Sequence, residues 1–216
     1  MKMNWFVRPF SPADREAVRH ICCETGFSGN PVDLLFSDRE IFADFFTRYY
    51  TDWEPESAWV AEDQGKVVGY LTGCIRYRYN AIMQRVLLIF ILVPKTLWRV
   101  IRGRYNKTDL SFLLWCAVKA NKETPIRPPC AAHFHFNLLP DYRNSGVGLK
   151  LFTAFVESLP GRGVKRVYGQ IQTRLDRRPE RVFERYGFIC LDKREVTKFR
   201  PFHDQTVYVS TFLKEL

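Results

Sequence analysis

The sequence predicts a mixed α/β (α+β) fold in one domain, and not a regular doubly wound one. Three observations carry that expectation. Apolar residues switch between period two and period 3.6 in the order β-α-α-β-β-(insert)-β-α-β-α-β-β. The chain has 216 residues and is 46% hydrophobic, enough to bury a core without disulfides or metal. An apolar and basic block, about residues 79–129, breaks the rhythm of strands and helices and reads as a helical insertion within the single domain 1–216.

Trp5 to Arg8 reads as a short strand ended by Pro9, and Ser11-Pro12 as the opening of a helix. A second helix is expected over Asp38 to Tyr50, where Ile41, Phe42, Phe45, Phe46 and Tyr49 recur at helical spacing. SAWVAEDQGKVVGYLTGC is a hairpin turning at Gln64-Gly65, with Gly69 marking a bulge or a close backbone approach. Within the insertion, DLSFLLWCAVKANK reads as a helix with Leu110, Leu113, Leu114 and Ala117 on one face. AAHFHFNLLP alternates and is a strand. The helix after Arg143 places Leu149, Phe152, Phe155, Val156 and Leu159 on one stripe. VKRVYGQIQT is a strand, and RPERVFERYGF a helix with Pro179 near its start and Gly187 at its end. Two strands follow, around Ile189 to Phe199 and Thr206 to Leu213.

The net charge is +10, which favours anionic partners without choosing among nucleic acid, lipid and a phosphorylated ligand. No nucleic-acid motif accompanies it, so a nucleic-acid-binding protein ranks last among the readings. The six cysteines form no C-x-x-C pair, and MKMNWFVRPF lacks the apolar stretch of a signal peptide, so a reducing cytoplasm is expected.

Chemistry concentrates in LPDYRNSGVGLKLF. Gly146 and Gly148 open a helix, although glycine inside a helix costs about 1 kcal/mol relative to alanine. A helix start presents amides without helical partners and the positive end of the dipole, and glycines let a ligand reach them. With Arg143 adding a full charge, Arg143-Asn144-Ser145-Gly146-Val147-Gly148 is built to hold a pyrophosphate. The bland alternative is a tight turn with close helix–sheet packing. A P-loop ending and a three-glycine dinucleotide fingerprint are both missing.

The stretch resembles the R/Q-x-x-G-x-G/A pyrophosphate loop of the GNAT superfamily of acyl-CoA N-acyltransferases. NLLPDY is similar to that family's strand end, and VFERYGF to its F-Y-x-x-x-G-F ending. The resemblance implies a mostly antiparallel sheet flanked by helices, with a splayed central strand pair formed by HFHFNLL and VKRVYGQIQ. It implies pantetheine in the cleft, bonded to backbone groups of Leu138 and Leu139, and a pyrophosphate on Arg143, Asn144, Ser145, Gly146, Val147, Gly148 and Leu149. Acetyl-CoA would be the donor and a small-molecule amine the acceptor, acylated directly in a ternary complex, with an N–H near Leu138 polarising the thioester carbonyl. The chain departs from the family at Phe183, where many members carry a tyrosine that protonates the departing thiolate. The family's Asn and Ala fall on Asp176 and Pro179. Tyr186, on a neighbouring face, either replaces that acid or packs. More loosely, HFHFNLLP and the long apolar insert resemble the acetyltransferase-like domain attached to some O-GlcNAc hydrolases. A catalytically inactive acyl-CoA-binding or regulatory module is therefore the alternative function.

His133, His135 and Asn137 alternate along one strand face and are the catalytic candidates, with His135 the leading base. They could equally form a satisfied polar layer. No third ligand accompanies the two histidines, so no metal is expected. Asp52, Glu54 and Glu56 either face the acceptor or lie in a solvated loop. VLLIFILV, closed by Pro94 and flanked by Arg85, Lys95, Arg99 and Arg102, is too short for a span of roughly 20 residues. It reads as a lid packed on the domain, as a peripheral membrane contact, or as a homodimer surface.

Overall fold

The computed structural model describes residues 4–173, 180–202 and 204–216. Asp176 and Pro179, matched above to family positions, lie outside the described residues. Seven strands form one sheet in the order β1-β2-β3-β4-β5-β7-β6. They are β1 (Phe6–Pro9), β2 (Ala58–Asp63), β3 (Lys66–Cys74), β4 (Ala132–Leu138), β5 (Arg166–Thr173), β6 (Ile189–Glu195) and β7 (Tyr208–Glu215). Every pairing is antiparallel except β4 with β5. Pro9 falls inside β1 rather than after it, which an edge strand tolerates.

The β2–β3 hairpin turns at Gln64 and Gly65, both at positive φ (51° and 76°) as a two-residue hairpin requires. Its register shifts between Ala61 and Glu62, opposite Gly69. A Cβ on Gly69 would stand 2.3 Å from Leu138 Cδ2, so the bulge and the close approach occur together.

One face of the sheet carries α1 (Arg15–Thr25) and α2 (Arg39–Asp52), packed through Val18, Ile21, Ile41 and Phe42 onto Val60 and Tyr70. Asp38 caps α2, its carboxylate accepting from the Ile41 amide at 3.2 Å. The other face carries α7 (Val147–Ser158) and α8 (Glu180–Arg185) over Leu71, Phe134, Val167 and Phe212. The buried stripe of α7 is Val147, Leu151, Phe155, with Leu159 just beyond. Leu149 points outward, because the helix begins at Val147 rather than directly after Arg143 and the stripe turns with it.

Between β3 and β4 lie α3 (Tyr77–Leu87), a π-helical turn (Leu88–Leu92), α4 (Val93–Ile101), α5 (Lys107–Val118) and α6 (Ala120–Glu123). The helix does not stop at Pro94. Proline lacks an amide and crowds the carbonyl four residues back. The widened turn just before it, with the Val93 amide donating to Leu88 O five residues back, relieves that crowding. Tyr77–Ile101 is thus one continuous 25-residue helix, long and apolar enough to cross a membrane, and its most apolar 18-residue window is only 11% buried. The helix packs on the domain through Leu87 and Leu92, while most of its apolar surface stays exposed. In α5 the inward residues are Phe112, Leu113 and Trp115, which meet Phe36 and its neighbours, whereas Leu110, Leu114 and Ala117 face outward.

Candidate functional site

β4 and β5 pair only at Ala132–Val167, His133–Tyr168 and Phe134–Gly169, then part. Two rings crowd the last paired residue. An ideal Cβ on Gly169 would stand 2.8 Å from Phe183 Cε1 and 2.9 Å from Phe134 Cζ, so only a glycine lets both rings close over the strand at the last paired residue. Phe183 stacks on Phe134 (6.1 Å, 10°) and is sealed by Phe188 and Phe212. Tyr186 packs instead on Phe152, with ring centroids 5.8 Å apart.

Beyond Phe134, β4 stays bonded to β3. The Leu139 amide donates to Val68 O at 3.0 Å, and alternation along an antiparallel ladder turns the groups of Asn137 and His135 the same way. The amides and carbonyls of Phe136 and Leu138 therefore face the gap that β5 has left. The Leu139 carbonyl is also engaged, accepting from Tyr142 N at 3.1 Å. Phe136 and Leu138, rather than Leu138 and Leu139, offer the cleft their backbone. Phe136 is 38% exposed despite being aromatic. A cavity of about 190 Å³ lies here, lined by Thr25, Gly29, Phe136, Asn137, Leu138 and Arg143.

At the cleft's mouth the loop Arg143–Gly146 leads into α7. Asn144 and Gly146 lie at φ 60° and 86°, the left-handed region that suits Asn and Gly. They aim the chain so that Val147, Gly148 and Leu149 open the helix, where amides have no carbonyl a turn behind them. The Ser145 hydroxyl donates to Tyr142 O at 2.6 Å. Arg143 donates to Leu138 O at 3.3 Å and to Gly29 O at 2.6 Å, tying the helix start to the loop after α1. That loop continues across the cleft, its Ser28 hydroxyl donating to Gln172 of β5 at 3.0 Å.

The opposite wall is polar and neutral. His133 Nε2 and the Tyr50 hydroxyl share a hydrogen bond of 2.8 Å, and His135 lies 5.5 Å from His133 and 5.8 Å from Tyr50 between ring centroids. Asn137 Nδ2 donates to the Tyr70 hydroxyl at 2.8 Å. Burial, then the Arg127 charge, lowers His135 to about 4; burial also holds His133 well below its usual range. Both rings are neutral near pH 7. The three acidic candidates lie elsewhere: Asp52 pairs with Arg15 and Glu56 with Arg76. Glu54 is buried, accepting from Tyr49, Ser57 and the Ile75 amide.

The structure thus brings His133, His135 and Asn137 to one wall and the loop residues to the other side of the mouth, and leaves Tyr186 in the aromatic core. Sequence reading missed Tyr50, Tyr70, Arg127, Ser28, Gln172 and the backbone of Phe136. Of these only Ser28 carries a local signal, the turn-forming Ser-Gly-Asn-Pro run.

Residues 31–188 match the acetyltransferase (GNAT) family. No curated protein matches the sequence. Among solved structures, SsHAT superposes with a TM-score of 0.66 at 26% identity, over 98% of this chain and 98% of that one. The Drosophila melanogaster polyamine N-acetyltransferase, which forms N-acetylagmatine, reaches 0.57 at 14% identity over 99% and 100%. The putative acetyltransferase yncA from Salmonella typhimurium, solved with its cofactor acetyl-CoA, reaches 0.54 at 12% over 98% and 94%.

Proposed function

The chain belongs to the GNAT acetyltransferase family, and from that premise we propose that it acetylates a small amine that arrives as its free base, directly and within a ternary complex. The observation that carries the reading is the parting of β4 and β5 after Phe134 and Gly169, between an amide-rich helix start and a neutral polar wall.

The residues present fit acetyl-CoA. The amides opening α7 and the Arg143 guanidinium suit a diphosphate, and the backbone of Phe136 with the Leu138 amide, neither taken by a strand partner, suits the amides of a pantetheine arm. Bound there, acetyl-CoA supplies an acyl group activated as a thioester. The Leu138 amide, left without a strand partner, is a donor for a carbonyl oxygen gaining charge. Phe136 stacks on Phe134 and makes that end of the cleft apolar.

On the acceptor wall, His135 accepts a hydrogen bond from an amine N–H and orients the lone pair. With its pKa at about 4 it does not strip a proton from an alkylammonium of pKa about 10, so a strongly basic acceptor reaches the cleft charged and unreactive. Arg127 disfavours the same cation. A thiol of pKa about 8.5 can depart as thiolate, and that thiolate then takes up the proton that the acylated nitrogen sheds, so turnover does not require a hydroxyl at Phe183.

The test is a thermal shift with acetyl-CoA, CoA and longer acyl-CoAs, then thiol release over amines graded from arylamines to polyamines. Acetyl-CoA should stabilise the chain, and weakly basic amines should turn over fastest near neutral pH. Preference for polyamines would overturn the free-base reading. A shift without turnover anywhere on the panel would favour an acyl-CoA-binding module, the reading to which the buried Phe183 points.

A further inference from the structure

The insertion leaves the sheet at Cys74 and returns at Ala132, and Cys74 pairs directly with His133. A segment with that entry and exit must finish on the side of a bilayer where it began. Among the described residues only Tyr77–Ile101 is long and apolar enough to cross. The 12-residue α5 extends about 18 Å against an apolar thickness of about 30 Å. A single crossing would separate two hydrogen-bonded strands, so the long helix lies along a surface rather than through one.

Its inner side is fastened to the domain. Asn80, Leu87, Leu92 and Arg99 are buried, and Arg99 pairs with Asp38 and Glu40 at the start of α2. Tyr105 donates to Asp38 at 2.7 Å, and Lys95 pairs with Glu40. These bonds hold the outer side outward. It carries Ile82, Val86, Ile89, Val93, Leu97 and Ile101 at steps of three or four, all exposed, Ile101 at 83%. Phe90 (72%) and Trp98 (51%) widen the stripe, which runs about 29 Å from Ile82 to Ile101.

Along the segment itself the charge has one sign. No Asp or Glu occurs between Asp63 and Asp109. Arg78, Arg85, Arg102, Arg104 and Lys107 form no ion pair among the described residues, and Arg102 lies over the Trp98 ring at 4.9 Å. A second copy of this chain would bring like charges together, whereas an anionic surface neutralises them. We propose that the helix Tyr77–Ile101 docks the domain on anionic lipid, lying in the plane of the interface with its apolar stripe under the headgroups. The apolar stripe and the unpaired cations supply the two signals that stable anchoring needs.

The experiment is flotation of the full chain with phosphatidylcholine vesicles and with vesicles containing about one third phosphatidylserine. Expected is flotation with the anionic vesicles alone, weakened about tenfold or more in high salt. I89E/F90E should abolish flotation and R85E/R102E should weaken it about tenfold or more, since each basic side chain near the surface contributes about 1 kcal/mol. All four side chains are at the surface, so both variants should keep the wild-type melting temperature and its acetyl-CoA shift. The acetyl-CoA shift separates failure here from failure of the proposed activity. The proposal is overturned by sedimentation with anionic vesicles, by salt-insensitive flotation, or by flotation that survives I89E/F90E. A concentration-dependent dimer that I89E/F90E splits, without vesicle binding, would overturn it in favour of a second copy.

Discussion

The two faces of β4 are made of opposite materials. Toward α7, Phe134, Phe136 and Leu138 join an aromatic layer with Phe152, Phe155, Phe183 and Phe188. Toward α1 and α2, His133, His135 and Asn137 meet Tyr50 and Tyr70 through named hydrogen bonds and ring contacts. The first face sets the shape of the cleft and is insensitive to protonation. The second sets its polarity and is sensitive to it. On the proposed reading, donor binding and acceptor handling are separable on one strand, with Gly169 at the last pair before β4 and β5 part.

The largest effect expected is on the donor side. Gly146→Val puts a β-branched residue at φ 86°, where even an unbranched L-residue is strained by about 1–2 kcal/mol. The loop must re-aim, and the helix-opening amides with it. Acetyl-CoA stabilisation should vanish and turnover should fall about a hundredfold, while circular dichroism stays native because Gly146 is at the surface. A variant that keeps the full thermal shift would remove the loop from the donor site.

Gly169→Ala tests the join. Its Cβ would displace Phe134 and Phe183 together, an overpacking cost of about 1–3 kcal/mol. Calorimetry should show that loss, and both the acetyl-CoA shift and the amine dependence should change. If only one of them changes, the two faces are not coupled through the splay. His135→Ala should do the reverse. We expect kcat/KM to fall about tenfold with the acetyl-CoA shift intact, since an orienting hydrogen bond contributes about 1.5 kcal/mol. Loss of the shift as well would mean that the faces are one site.

The loop proposed for the donor was legible in the sequence because its physics is local. A loop of left-handed positions, an arginine and a helix start are all read from consecutive residues, and the alternation of His133, His135 and Asn137 is likewise period two. The acceptor wall was not, because Tyr50 reaches His133 from a helix 83 positions away in the chain. Leu139 was assigned to the cleft because strand ends look alike in sequence; which carbonyl an amide meets depends on register with β3. Pro94 misled for a different reason. Proline ends a helix only if the turn before it keeps its ordinary pitch, and nothing in VLLIFILV signals a π turn. The stripes of α5 and α7 slipped because the face a short helix buries follows from what it packs on.

The smallest effect is the stability change produced by protonation of the acceptor wall. His135 in the folded chain titrates at about 4, against about 6.5 when unfolded, so between those values the unfolded chain binds more protons. Stability therefore rises with pH across that window: the contribution is complete above about 6.5 and is lost as pH falls toward about 4. Since His135 is partly open to solvent, the loss between neutrality and about pH 5 should be on the order of 1 kcal/mol. His133, lowered in the same direction, adds to it with the same sign. Urea unfolding at a series of pH values should give a flatter curve for His135→Gln than for the wild type. The aromatic face offers a control: Phe152→Leu should lower stability without changing the slope, because no proton is taken up there. Parallel curves for His135→Gln and the wild type would show that the ring is not held neutral by burial, and a strongly basic amine would then again be a credible acceptor.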